Sequence, residues 1–502
     1  MNNNFGRISS KTKKKLYLCQ LNLLQITKDR IRECDMLFNS LSFLIFFPIV
    51  CSVYFLLPKL KQRNLFLLVA SYYFYMNWEP VYALLIFSST LITYFATLGI
   101  SAISDKRKKR FCLIGSLILN LTALFLFKYY NFAAENLALF FSKTGLAIEL
   151  PKFQLLLPVG ISFYIFQALG YCIDVYRGKT QAERNFFTYA LFVSFFPQLV
   201  AGPIERSSNL LPQFKNKQQF SYDNVMSGLC LMIWGYFLKL VLADRCGLYV
   251  DPVFNNVEYH NGGSFIIASF LFAFQIYGDF AGYSLTAIGA AKIMGFNLME
   301  NFKRPYFATT ITEFWHRWHI SLSTWFKDYV YIPLGGNRVS KTRGHFNIMT
   351  TFVISGLWHG ANWTFIVWGT LHGALQCMEK ALGWNKKHWN SSQKIFHWLF
   401  TFVLVCFAWI FFRANTIYDA FLIIKGVFTN LAIPYMSMSN FFIIGVTLFV
   451  VFVKEVKDEY RLKIRISDSP HWVVRHLYIV LMIAFIILFG VLNADQFIYF
   501  QF

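Results

Sequence analysis

The chain has 502 residues, 56% hydrophobic and 20% aromatic but only 14% charged; a soluble domain carries about 25% charge, so a soluble enzyme or binding module is excluded and an all-α polytopic membrane protein is predicted. The net charge of +22 lies in short basic clusters between apolar runs, among them Lys59, Lys61 and Arg63, the stretch 106–110, and Lys454, Lys457, Arg461, Lys463 and Arg465. That spacing is the bias of cytoplasmic loops, so the partner expected is the lipid bilayer and no nucleic acid.

Residues 1–35 are polar and basic, with Arg7, Lys11, Lys13, Lys14, Lys15, Lys28, Arg30 and Arg32, and contain no apolar segment of spanning length. They flank the first span with positive charge on the side opposite Lys59, Lys61 and Arg63, which leaves its orientation poorly specified. A start at Met36 removes that conflict. The expectation is therefore an upstream extension or mis-assigned start over 1–35, one transmembrane domain over 36–495 and a short tail over 496–502.

Charge-free runs near spanning length follow at 37–58, 80–104, 111–127, 153–173, 185–204, 261–278, 395–412, 426–453 and 477–494. With shorter runs they predict about eleven passes. Pro and Gly interrupt several of them, at Leu157-Pro158-Val159-Gly160, Phe196-Pro197-Gln198, Gly202-Pro203 and Ser355-Gly356. Non-helical backbone at membrane depth is tolerated where protein or a water-filled cavity satisfies it, so these breaks outline an internal cavity, simple kinks being the alternative. Nine cysteines are scattered singly, which predicts neither a disulfide framework nor a metal knuckle.

The stretch 305–344 is too charged to span, with Glu313, Arg317, Lys327, Asp328, Arg338, Lys341 and Arg343, yet dense in aromatics. Trp315, Trp318, Leu322 and Trp325 recur at offsets of 3, 7 and 10, one apolar helical stripe, while His316, His319 and Ser323 fall on another face. The pattern predicts an amphipathic helix, interfacial or re-entrant, that ends in the turn Pro333-Leu334-Gly335-Gly336-Asn337.

The run 346–378 contains no Asp, Glu, Lys or Arg but holds His359, followed by Gly360, Ala361 and Asn362. At about 1.5 Å per residue, His359 would stand on the order of 20 Å into the apolar layer, where an ionisable group is a function hypothesis by default. Neutral imidazole accepts a proton from a hydroxyl at physiological pH, so His359 and His319 are the candidate bases; core or interface histidines are the plainer reading. His372 reads as structural. His316 and His319 lack the further ligands a zinc site needs, so no metal is expected. Asp279 interrupts another apolar stretch and must be paired, with Arg317 or another cation the partner expected and a structural ion pair the plainer reading.

Three motifs then carry a resemblance: 313–325 (EFWHRWHISLSTW), 328–338 (DYVYIPLGGNR) and 355–363 (SGLWHGANW). With 195–206 (FFPQLVAGPIER), 157–163 (LPVGISF) and the 36–40 opening (MLFNS), they resemble the membrane-bound O-acyltransferase family, and within it the bacterial alginate O-acetylation group, over about residues 36–495. The likeness departs at Gly278, where relatives commonly carry a bulky residue, and at Leu285, where Asp is common.

The resemblance implies helices around a central tunnel in the bacterial inner membrane. It also implies transfer of an acetyl group from acetyl-CoA, with no tightly bound cofactor, to a polysaccharide hydroxyl outside, directly or through an extracytoplasmic esterase-like partner. His359 and His319 take the family's active-site positions. Trp358 and Trp363 are expected to wall the site, Asn362 to donate to the developing oxyanion, and Ser323, Arg317 and Asp279 to line the substrate path. Lys327 and Arg338 are expected to receive donor phosphates. D-alanyl transfer within the same fold, a flippase and a scaffold subunit are the alternatives.

Overall fold

The structure, a computed structural model, describes residues 36–146, 150–153, 157–200, 202–384, 389–435, 437–464, 466–467, 469–491 and 498. The 1–35 extension and most of the 496–502 tail lie outside the described residues. All regular elements among those described are helical. The first helices are α1 (Leu41–Leu56), α2 (Leu60–Met76), α3 (Ala83–Ala102) and α4 (Lys106–Leu124), the last continuing through a π-turn (Phe125–Tyr129) into α5 (Tyr130–Lys143). Then come α6 (Ile161–Tyr176), the short α7 (Phe186–Ser194), α8 (Phe196–Leu199) and α9 (Ser207–Phe214), and α10 (Tyr222–Tyr236), which a second π-turn (Phe237–Ala243) joins to α11 (Asp244–Asn255).

The longest helix is α12 (Gly262–Ile293). It packs against α10 so closely that a Cβ at Gly235 would come within 2.5 Å of the Gly282 carbonyl oxygen, and one at Gly282 within 2.7 Å of the Gly235 oxygen. Small residues permit this approach where lipid supplies no hydrophobic drive between helices. After α12 the chain forms α13 (Ile311–Arg317), α14 (Ile320–Phe326) with a third π-turn (Lys327–Tyr331), α15 (Lys341–His359), α16 (Trp363–Leu382), α17 (Ser391–Arg413), α18 (Ile417–Thr429), α19 (Met438–Glu459) and α20 (Trp472–Phe489).

Among the described residues, seven helical stretches are long and apolar enough to cross a membrane: Pro80–Ala102, Lys106–Lys143, Tyr222–Asn255, Gly262–Ile293, Ser391–Arg413, Met438–Glu459 and Trp472–Phe489. Leu41–Leu56 and Ile161–Tyr176 are shorter apolar helices. The protein is thus multi-pass, but on this measure the expected eleven passes are not reached. Pro and Gly divide the runs: within 153–173, α6 begins at Ile161, after Gly160 at φ 72. The 185–204 run breaks between α7 and α8, before Pro197. Outward faces carry large apolar side chains such as Leu84, Phe111 and Ile487, as lipid contact requires.

The interior is two apolar clusters. One is built on Phe43, Phe74, Tyr189 and Phe195 and takes in Leu322, Trp325 and Trp358. The other is built on Phe237, Tyr249, Phe272 and Trp409 and takes in Phe314, Trp315, Trp318, Phe365 and Trp368. The single amphipathic helix expected over 305–344 is therefore two helices, and its stripe divides between the two cores at Trp318 and His319.

Candidate active site

His319 occupies the break. Trp318 is extended (φ −103, ψ 130) and His319 left-handed (φ 43, ψ 55), which ends α13 and begins α14 in a new direction. A side chain with a Cβ adopts that region at a cost of roughly 1–2 kcal/mol, so its surroundings must enforce it. The enforcing residue is Asn301, which is buried. Its backbone oxygen accepts from Ile320 N (2.9 Å), its side-chain oxygen from Ser321 Oγ (2.8 Å), and its amide donates to Ser284 Oγ (3.0 Å). Ser321 Oγ in turn accepts from Ile204 N (3.0 Å), which ties the break to the 195–206 motif. Sequence reasoning passed over Asn301 and Ser321, which lie in no charge pattern or periodicity.

The His319 ring is fully buried, with Phe280 edge-on at 4.5 Å, Phe163 stacked at 6.3 Å and Trp358 at 6.0 Å. Neither of its ring nitrogens, nor Trp358 Nε1, has a hydrogen-bond partner among the described residues. Buried polar atoms are nearly always satisfied, so these nitrogens are ones that a ligand or water could meet, as are the indole nitrogens of Trp368 and Trp409.

His359 is the last residue of α15. The charge-free run 346–378 is a hairpin that turns at Gly360, Ala361 and Asn362, with His359 at its tip. The rise from Phe346 remains about 20 Å, since the intervening residues are helical. Trp358, Trp368 and Phe412 meet its ring edge to face at 5.0, 5.0 and 5.3 Å. Trp358 is therefore in ring contact with both histidines; the His359 ring lies where the two apolar clusters meet, while the ring neighbours of His319 belong to the first cluster.

A small cavity of about 40 Å³ opens beside Trp358 and His359, lined by Lys128, Leu157, Pro158, Val159, Gly160, Ile161, Ser162, Phe163, Val200, Trp358 and His359. The Pro and Gly breaks at 157–160 do border a cavity, as read from the sequence. Gly160 is required there: beyond its positive φ, a Cβ would overlap the Leu199 carbonyl.

The other expected site residues are placed as follows. Asn362 caps α16, accepting from Thr364 N (3.1 Å), and donates to Asn415 O (3.0 Å), so its amide is committed to the hairpin turn. Trp363 is half exposed and donates to Asn136 Oδ1 (2.9 Å), away from the cavity lining. Ser323 Oγ donates to Trp318 O (3.1 Å), bracing the break. Lys327 and Arg338 are exposed. Arg338 lies just before α15, whose 19 residues put about 27 Å between Lys341 and His359.

The cation expected beside Asp279 is Lys239 and not Arg317. Arg317 bonds Glu313 (2.6 Å) and Glu459 (2.9 Å), while Asp279 meets Lys239 (2.7 Å) and accepts from Ile498 N (2.7 Å). The acidic partners of Arg317 lie on its own helix and at the end of α19. His372, read as structural, accepts at Nδ1 from the Trp315 indole (3.3 Å).

The chain matches the MBOAT, membrane-bound O-acyltransferase, family over residues 181–421, which include both histidines. It is 40% identical to the probable alginate O-acetylase AlgI of Pseudomonas syringae pv. tomato, over 77% of this chain and 74% of that protein. It is 37% identical to the peptidoglycan O-acetyltransferase of Helicobacter pylori, over 79% and 80%. It is 26% identical to the teichoic acid D-alanyltransferase of Bacillus subtilis, over 63% and 81%. A break that buries one histidine, a hairpin tip that buries the other, and relatives of this identity over most of the chain agree: the protein belongs to the membrane-bound O-acyltransferase family.

Proposed function

We propose that this protein sits in a bacterial inner membrane and moves an acetyl group from acetyl-CoA to a hydroxyl of an envelope glycan, directly or through an extracytoplasmic partner. His359 takes the proton from the attacking hydroxyl. The hydroxyl oxygen then bonds the thioester carbonyl carbon, the C–S bond breaks, and the departing thiolate receives the proton from the imidazolium. His319 orients the thioester and, as an N–H donor, meets the carbonyl oxygen as charge develops on it. The relatives that acetylate alginate or peptidoglycan support acetyl as the group and a glycan as the acceptor. The D-alanyltransferase relative supports a second reading, D-alanyl transfer, at lower identity.

The observation that carries the reading is the pair of buried histidines that both contact the Trp358 ring, one of them lining the cavity. The basic clusters support a cytoplasmic face at the Lys341 end of α15, so donor and acceptor approach His359 from opposite directions. The test uses the source bacterium with its chromosomal copy replaced by variants. Cells receive a pulse of labelled acetate, and base-labile label is counted in envelope glycans. His359→Ala is expected to abolish incorporation while the extracted protein stays monodisperse; incorporation at the parental rate overturns the assignment of the base.

A further inference from the structure

The α15 helix ends abruptly at His359, because Gly360 is extended (φ −166, ψ 155). The last carbonyls of a helix need partners from elsewhere, and in an apolar body water does not supply them. Here they come from the π-turn between α4 and α5. Lys128 Nζ lies 2.8 Å from Trp358 O and 2.9 Å from His359 O, and Tyr129 OH donates to Leu357 O (3.0 Å). The ammonium also stands 5.8 Å from the Trp358 ring and lines the cavity with His359.

Three features make this more than packing. Lys128 has no carboxylate at ion-pair distance among the described residues, and a lysine without one inside a membrane body is costly unless it serves a role. Its charge also faces the negative end of the α15 dipole, where a cation is favoured. The π-turn presents Lys128 and Tyr129, neighbours in sequence, to consecutive carbonyls of one helix end; π-turns of this kind are frequent at functional sites.

We infer that Lys128 is a positioning residue for the acyl transfer, its ammonium fixing the last turn of α15 and so the place of His359 in the cavity. The inference rests on the proposed role of His359. Small misplacements of a reacting group cost about 10²-fold in rate.

The same labelled-acetate pulse tests it, with protein amount and unfolding midpoint measured on extracted material. Lys128→Met keeps the length without donors and is expected to cut incorporation by about 10²-fold at a parental unfolding midpoint. Lys128→Gln is expected to fall between, and Lys128→Arg, which keeps charge and donors, to restore most of the rate. A folded Met variant with the parental rate overturns the inference. If the Met protein misfolds, a folded Gln protein decides in its place, and a parental rate in it overturns the inference equally. If both neutral variants misfold while Arg is folded and active, Lys128 serves folding, and the inference is again overturned. Incorporation at the parental rate in His359→Ala sinks the proposed function itself, whereas loss in His359→Ala with a parental Lys128→Met sinks this inference alone.

Discussion

Lys239 Nζ on the π-turn after α10 stands 2.7 Å from a carboxylate oxygen of Asp279 on α12, with both side chains buried. The same ammonium is 2.7 Å from Asp244, so one cation serves two carboxylates beneath the ring of Tyr283. Lys239→Met leaves those carboxylates buried without their cation, and removing one partner of a buried pair costs about 3–5 kcal/mol. The expected result is a lowered unfolding midpoint in detergent. Lys239→Met combined with Asp279→Asn is expected to recover part of that loss; no recovery would show that the two do not act as a pair.

The hairpin that carries His359 depends on close approach between α15 and α16. A Cβ at Gly356 would overlap the Phe365 carbonyl, and one at Gly369 the Phe352 carbonyl. Gly356→Ala is expected to cost about 1–3 kcal/mol by overpacking and, because it moves the tip, to lower acetyl incorporation more than its stability loss explains. Gly383→Ala, at the far end of α16, would strain a positive φ of 69 with open space around it and leave incorporation near the parental level. Unfolding midpoints and the acetate pulse, read together, separate the two.

How much of this was legible in the sequence varied with the range of the forces involved. His359 stood out because the residues around it carry no charge, which is a local property, and the burial of Trp315, Trp318, Leu322 and Trp325 followed from their spacing. The break between Trp318 and His319 did not follow, because Asn301 imposes it from another segment. That the cation facing Asp279 is Lys239 did not follow either, for the same reason: Lys239 reaches it only once α10 and α12 are packed glycine to glycine. Lys128 went unread because it ends a charge-free run and so resembles a loop cation, whereas the helical stretch continues through it to Lys143.

The left-handed backbone of His319 allows chemistry and strain to be told apart. His319→Ala and His319→Gly both remove the ring and are expected to abolish acetyl incorporation. Glycine adopts φ 43 freely, while alanine carries the left-handed penalty of roughly 1–2 kcal/mol, so the Gly protein should unfold at the higher temperature despite being equally inactive. Equal midpoints would mean that the break relaxes once the ring is gone.

Glu205 gives the fold a pH dependence outside the spans. Its carboxyl is buried, and burial pushes it up from 4.5 to about 7, against the lowering effect of hydrogen bonds from Asn209 and from the backbone of Met299 and Arg206. The folded protein therefore holds this proton between about pH 4.5 and 7 while the unfolded chain releases it, so stability falls as pH rises through that window. The contribution is fully present below 4.5 and lost above 7, with a slope of at most about 1.4 kcal/mol per pH unit. Glu205→Gln, which cannot ionise, should remove this component: the difference in unfolding midpoint between parent and variant should drift against the parent from pH 4.5 to 7 and level off beyond it. A difference that stays constant across the window would mean that Glu205 titrates alike in the folded and unfolded states, its hydrogen bonds having offset its burial.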